Sequence, residues 1–292
     1  MLRRPIILHH GLFGFDKIQV KDFRLNYWGN IPELLVKLGY RVYISKVGKT
    51  HSIEQRSKSL HEFIKKNDIK DAHIIAHSLG GLDARYLLHK YKTQPDAINI
   101  KTLTTLGTPH LGSDFMDLLN KRFGLGYRYS SIKGIPKPTS ILYQLFYYLD
   151  QPAYSCLTSN YSTYFNKMVS VNLDTDYYSI GAAFKCKNTF LEHLAKELVA
   201  NDLKSIPILQ ILKLRKLDEL IGLLERILFI LTNEENDGLV TLTSSHFGHS
   251  LSTLQGSHWD LVDFSGRFGH AMEPHVEEMY VKIIQHLRKY DE

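Results

Sequence analysis

The sequence predicts an α/β fold: a mostly parallel central sheet with helices on both faces. Three observations carry this. Short apolar runs and amphipathic stretches alternate about every twenty to thirty residues over the first part of the chain, the mark of strand–helix–strand units. One run, Asp71 to His77, leads through a small-residue corner at Ser78 straight into an amphipathic helix. Finally, 292 residues with 43% hydrophobic and 23% charged content suffice for one substantial core, so residues 1–292 are read as a single domain.

In chain order, Pro5-Ile6-Ile7-Leu8 is a first strand, followed by His9-His10-Gly11-Leu12-Phe13-Gly14-Phe15-Asp16, a loop whose glycines allow close backbone approach to a ligand. Asn30 is placed to cap a short helix with Pro32 in its first turn. Arg41 to Ser45 is a strand. Ser52 and Gln55 form a capping box for a helix with Leu60, Phe63 and Ile64 on one face. Thr102 to Leu106 is another strand, running into Gly107-Thr108-Pro109-His110-Leu111-Gly112-Ser113.

From 113 to 170 the alternation stops. Tyr127, Tyr129, Tyr143, Phe146, Tyr147 and Tyr148, interrupted by Pro136 and Pro138, fit a lid or cap insertion over an apolar site, and fit core packing under a long excursion equally well. Tyr177 to Ala183 resumes as a strand. Residues 189 to 231 are mostly helical and broken near Pro207, with apolar residues spaced by three and four that suit core or cap packing; Lys213, Arg215, Lys216 and Arg226 also permit a membrane-surface helix. A helix from about Glu273 to Lys289 closes the chain.

The chemistry starts at Ala76-His77-Ser78-Leu79-Gly80. A serine on a tight strand-to-helix turn needs small residues two before and two after it, and Ala76 and Gly80 supply them. The same corner also fits an ordinary strand–helix loop. If it is a nucleophile elbow, the N–H of Leu79 opens a helix where an oxyanion would form, and the N–H of Leu12 in the first glycine loop is its natural partner. Asp237, in Asn236-Asp237-Gly238-Leu239-Val240, and His258, in Ser257-His258-Trp259-Asp260, follow in the order serine, acid, histidine. His258 would take the Ser78 proton and Asp237 would orient the imidazole. His246, His249, His270 and His275 also lie beyond Asp237; His258 is preferred because it sits ahead of the closing helix on a separate connection.

These segments together, H-H-G-L-F-G-F-D, A-H-S-L-G-G-L-D-A-R-Y, L-G-T-P-H-L-G-S, N-D-G-L-V and H-W-D, resemble the triacylglycerol lipases of the bacterial true-lipase type and their fungal intracellular relatives. The resemblance runs from about residue 5 to 265 and is weakest over 113–170. It implies an α/β-hydrolase cleaving acylglycerol esters, with Ser78, Asp237 and His258 as triad and Leu12 and Leu79 as oxyanion donors. A phospholipase, thioesterase or acyltransferase would use the same triad, and a silent lipid-binding protein would keep the same fold. The resemblance also implies a structural calcium at Asp260. Against this, Phe264 replaces an amide ligand and Asp218 is only a candidate for the second aspartate, one matched ligand where calcium takes roughly six or more oxygens. No cofactor is otherwise expected.

Net charge is +6 with a pI of about 9.0, but Lys and Arg are scattered among acids, which points away from nucleic acid and allows a bias towards anionic lipid. Cys156 and Cys186 read as free buried thiols. Neither a signal peptide nor a membrane-spanning run is apparent, so the expectation is an intracellular protein, in cytoplasm or mitochondrion, meeting its lipid substrate at a membrane or lipid-droplet surface. The sequence carries no signal for oligomeric state.

Overall fold

The computed structural model describes residues 3–12, 17–20, 23–93, 97–126, 151–200 and 216–291. The aromatic run from Tyr127 to Tyr148, with Pro136 and Pro138, lies outside them, as do Phe13 to Asp16 and the segment with Pro207, Lys213 and Arg215.

In chain order the strands are β1 (Ile6–His9), β2 (Lys17–Val20), β3 (Phe23–Asn26), β4 (Val42–Ile44), β5 (Asp71–His77), β6 (Asn99–Leu106), β7 (Asp176–Ala183) and β8 (His249–Gln255). The helices are α1 (Ile31–Lys37), α2 (Ile53–Lys66), α3 (Leu79–Tyr91), α4 (Asp114–Phe123), α5 (Pro152–Ser155), α6 (Ser159–Met168), α7 (Thr189–Ala200), α8 (Leu217–Thr232), α9 (Leu242–Ser245) and α10 (Pro274–Arg288). The central sheet has the order β4-β1-β5-β6-β7-β8, and every pairing within it is parallel. Strands β2 and β3 form a separate antiparallel hairpin that the sequence reading did not foresee.

Parallel strands covered on both faces are apolar without alternation, and β1 and β5 follow that rule. Ile6, Leu8 and Ile75 face a core with Trp28, Ile31 and Leu35 beneath α1 and Tyr280, Ile283 and Ile284 beneath α10. Ile7, Ile74 and Ala76 face the opposite core, with Leu60 and Ile64 of α2 and Leu87 and Leu88 of α3. Each such aliphatic side chain contributes about 1.5–3 kcal/mol by burial.

The capping box on α2 is present in full, Ser52 accepting from the Gln55 N–H and Gln55 accepting from the Ser52 N–H. Asn30 holds the position ahead of α1 but makes no side-chain cap; its Nδ2 donates instead to Asp263 Oδ2 at 2.9 Å and to the carbonyl of His270. Pro32 supplies the first-turn residue that needs no donor. Within 113–170, the described parts fold as α4, α5 and α6, and Met116, Ala153, Leu157 and Phe165 pack against Leu79 and Leu82 of α3. Cys156 and Cys186 are both free thiols, Cys156 buried and Cys186 half-buried. Among the described residues no helix is long and apolar enough to cross a membrane.

Candidate active site

Register alone brings the first two elements of the site together. His9 of β1 lies opposite Ala76 of β5, so the loop holding Leu12 and the corner holding Ser78 leave neighbouring strands side by side. Ser78 has φ 56° and ψ −133°, a conformation L-residues seldom adopt outside strained, over-determined sites. It is held there from both sides. Its N–H donates to the carbonyl of Leu106 at 2.8 Å, and its carbonyl accepts from Thr108 Oγ1 at 2.8 Å and from the Gly81 N–H at 3.0 Å. The requirement for small neighbours is steric: a Cβ on Gly80 would lie 2.8 Å from the carbonyl oxygens of His9 and His10, and one on Gly11 would lie 2.6 Å from Ser78 Cβ.

Asp237 follows α8, and its fully buried carboxylate is pinned by its own loop. Oδ1 accepts from the N–H groups of Leu239 and Val240, at 2.9 and 2.7 Å, and Oδ2 lies 2.6 Å from His258 Nδ1. The His258 N–H donates to the Asp237 carbonyl at 2.9 Å, fixing backbone and ring on the same partner. A carboxylate at Nδ1 sets the tautomer: the proton is there, and Nε2 keeps its lone pair. His246, His249, His270 and His275 are all exposed, whereas His258 is buried.

Ser78 and His258 line one cavity of about 510 Å³, walled largely by apolar side chains that include Leu12, Phe115, Met116, Leu119, Leu157 and Trp259. Leu12 stands directly after Gly11, and Leu79 is the first residue of α3. The structure thus brings Ser78, His258 and Leu12 to one cavity, and Asp237 behind His258.

Several supports were not anticipated. Gly107 has φ +54°, and a Cβ there would come within 3.1 Å of both Asp237 Oδ2 and His258 Nδ1. Behind the elbow, Asp83 Oδ2 accepts from Arg56 Nε at 2.7 Å and from His9 Nε2 at 2.9 Å, with all three residues fully buried. Arg56 also donates to the carbonyls of Gly48 and His10, at 2.6 and 2.5 Å, bracing the Gly11 loop. Burial keeps His9 below the ordinary imidazole range despite the Asp83 contact. The Gly107 to Gly112 loop rests on His110, which bridges Arg85 and Thr105 at 3.1 Å each. Burial lowers the Arg85 pKa to about 10 and, with Arg85 beside it, holds His110 well below its usual value. Asp83 and Arg85 stand in the elbow motif, so their positions were visible; their partners, 27 and 25 residues away, were not.

Asp260 does not present a metal cradle. Its Oδ2 accepts from the Ser257 N–H at 2.6 Å and the Ser257 hydroxyl at 2.8 Å, closing the turn after His258. Asp218 and Phe264 share a small cavity with it, but Phe264 offers no side-chain oxygen. Among the described residues no group of three or more His, Cys, Asp or Glu is placed to hold a metal ion. This donor set does not fit calcium, which takes six to eight oxygens.

The chain belongs to the alpha/beta hydrolase fold family, whose pattern matches residues 4–181. It is 26% identical to a triacylglycerol lipase of Saccharomyces cerevisiae over 91% of this chain and 82% of that one. A triacylglycerol lipase of Vibrio cholerae is 35% identical over 40% of this chain and 36% of its own length. The crystal structure of Staphylococcus hyicus lipase superimposes with a TM-score of 0.57 at 19% identity, covering 98% of this chain and 95% of that one.

Proposed function

We propose that the protein is a serine ester hydrolase acting on acylglycerols. The observation that carries this reading is the convergence of Ser78, on its strained turn, and the Asp237-bound His258 in one apolar cavity. Ser78 Oγ attacks the ester carbonyl while His258 Nε2 takes its proton, and the N–H groups of Leu12 and Leu79 donate to the oxyanion. His258 then gives that proton to the departing alcohol, leaving an acyl-serine. Water, deprotonated by the same imidazole, releases the fatty acid. Every group in this sequence belongs to the protein, so no cofactor is assigned. The apolar lining suits an acyl chain, and the named activity of the yeast and Vibrio relatives supports acylglycerol as the source. We place the substrate at a membrane or lipid-droplet surface inside the cell, where Phe115, Met116, Leu119, Tyr154 and Leu157, from the described parts of the 113–170 region, line the cavity.

The test is fatty-acid release by wild type and Ser78→Ala from emulsified long-chain triacylglycerol, beside a soluble short-chain ester and a phospholipid. Serine-dependent release that climbs above the solubility limit of the triacylglycerol is the expected result. Preference for phospholipid would move the substrate class, and release undiminished by Ser78→Ala would overturn the assignment.

A further inference from the structure

We infer that Tyr27 and His77 form a one-directional hydrogen-bond relay that positions His258 against Ser78 and ties that histidine to the oxyanion loop; the inference rests on the triad assigned above. The Gly11 N–H donates to Tyr27 Oη at 3.3 Å, Tyr27 Oη lies 2.6 Å from His77 Nδ1, and His77 Nε2 lies 3.0 Å from the backbone carbonyl of His258. The Tyr27, His77 and His258 side chains are all buried. The direction follows from the carbonyl end. The His258 carbonyl can only accept, so His77, in its neutral form, carries its proton on Nε2 and accepts the Tyr27 hydroxyl proton at Nδ1. Within the relay Tyr27 and His77 each accept one hydrogen bond and donate one, with no lone pair facing lone pair.

The relay does something that the Asp237 contacts do not. The His258 N–H and Nδ1 both bond to Asp237, which orients the ring but attaches it only to its own loop partner. His77 is the residue immediately before Ser78 on β5, so the third attachment, at the His258 carbonyl, is to the strand that carries the serine. The two imidazoles also pack with centroids 4.5 Å apart. At the far end, Gly11 precedes Leu12, the assigned oxyanion donor. Base, nucleophile and oxyanion loop are thereby joined through two side chains that do no chemistry themselves, and Tyr27 and His77 are positioning residues.

The experiment compares Tyr27→Phe, His77→Leu, His77→Gln and the Tyr27→Phe/His77→Leu double variant by steady-state kinetics on a soluble ester, with thermal melts as a check of folding. Tyr27→Phe should lower kcat about tenfold with KM within about twofold, the scale of one lost hydrogen bond. His77→Leu removes the donor to the His258 carbonyl and the acceptor of the Tyr27 hydroxyl proton, and should cost about a hundredfold. The Gln carboxamide nitrogen sits as many bonds from Cα as Nε2, so His77→Gln should recover most of that loss. Because one chain is being cut, the double variant should be no worse than His77→Leu alone. A second readout needs no substrate: the NMR titration and the low-field Nδ1–H resonance of His258 in the resting protein should shift in Tyr27→Phe and His77→Leu. Wild-type kcat in the folded variants, a loss confined to KM, or an unmoved His258 resonance overturns the relay. If the wild type cleaves no ester, the functional assignment fails and the resonance alone decides the relay. If His77→Leu does not fold, Tyr27→Phe, which removes a single oxygen, decides it.

Discussion

Gly107→Ala should damage activity out of proportion to stability, and the structure sets both magnitudes. Two costs arise. The residue has φ +54°, where an L side chain is disfavoured by about 1–2 kcal/mol. The new Cβ would also lie 2.7 Å from Leu261 Cδ1, a side-chain end that can rotate away, and 3.1 Å from both Asp237 Oδ2 and His258 Nδ1, which must give by a few tenths of an ångström. With modest overpacking the total is about 1–3 kcal/mol, lowering Tm by several degrees in a chain of this size. The displacement falls on the 2.6 Å Asp237 to His258 hydrogen bond, and small misplacements of reacting groups are costly, so kcat should fall about ten- to a hundredfold. Gly269→Ala is the control. It has φ +83° but nothing within 4 Å of the added Cβ, so it should show a comparable conformational cost and unchanged kcat. Esterase kinetics and melting curves on the two variants check this. Equal kcat in Gly107→Ala and wild type would refute the claim that the glycine makes room for the acid–base pair.

Other outcomes follow from the same framework. Arg56→Ala should destabilise the fold by about 3–5 kcal/mol in a denaturant titration, because it leaves the fully buried Asp83 carboxylate without its cation; Arg56→Lys should rescue little, lacking the fork that reaches Asp83, Gly48 and His10 together. Stability should fall with acid from about pH 6.5 downwards. His9, His73 and His110 are all held below the imidazole value by burial, so the unfolded chain binds protons there that the folded chain does not; their contribution is present above the unfolded pKa and is lost as pH drops towards the folded ones. Three such groups give a slope of up to about 4 kcal/mol per pH unit, and denaturant midpoints measured between pH 7.5 and 5.5 will show whether it exists. Chelation with EDTA should leave activity and Tm unchanged, since Asp260 is committed to Ser257; a calcium-reversible loss of Tm would show a metal site after all.

How far the sequence could be read depended on which signals were local. Strands β1 and β5 are largely apolar because both faces are covered, and β6 is rich in buried Thr and Leu, so their runs were visible. Strand β8, His249-Ser250-Leu251-Ser252-Thr253-Leu254-Gln255, was not, because it is an edge strand, paired among the described residues with β7 alone, and is mostly exposed. The β2–β3 hairpin, with its short alternating Lys17-Ile18-Gln19-Val20, also lacked a long enough pattern. The strained corner at Ser78 was legible because a tight strand-to-helix turn constrains five adjacent residues. The order of Ser78, Asp237 and His258 was legible because strand order dictates it. The Tyr27 to His77 contact spans 50 positions and leaves no spacing to read. Asn30 looked like a cap by residue type, but Asp263, 233 positions away, competes for its side chain.

The most direct test of the central claim is covalent labelling by a long-chain alkyl phosphonate, followed by mass mapping of the adduct. One adduct is expected, on the peptide carrying Ser78, formed quickly in wild type, slowed by orders of magnitude in His258→Ala and absent in Ser78→Ala. Labelling that survives Ser78→Ala, or a wild type that hydrolyses esters while Ser78 stays unmodified, would contradict it.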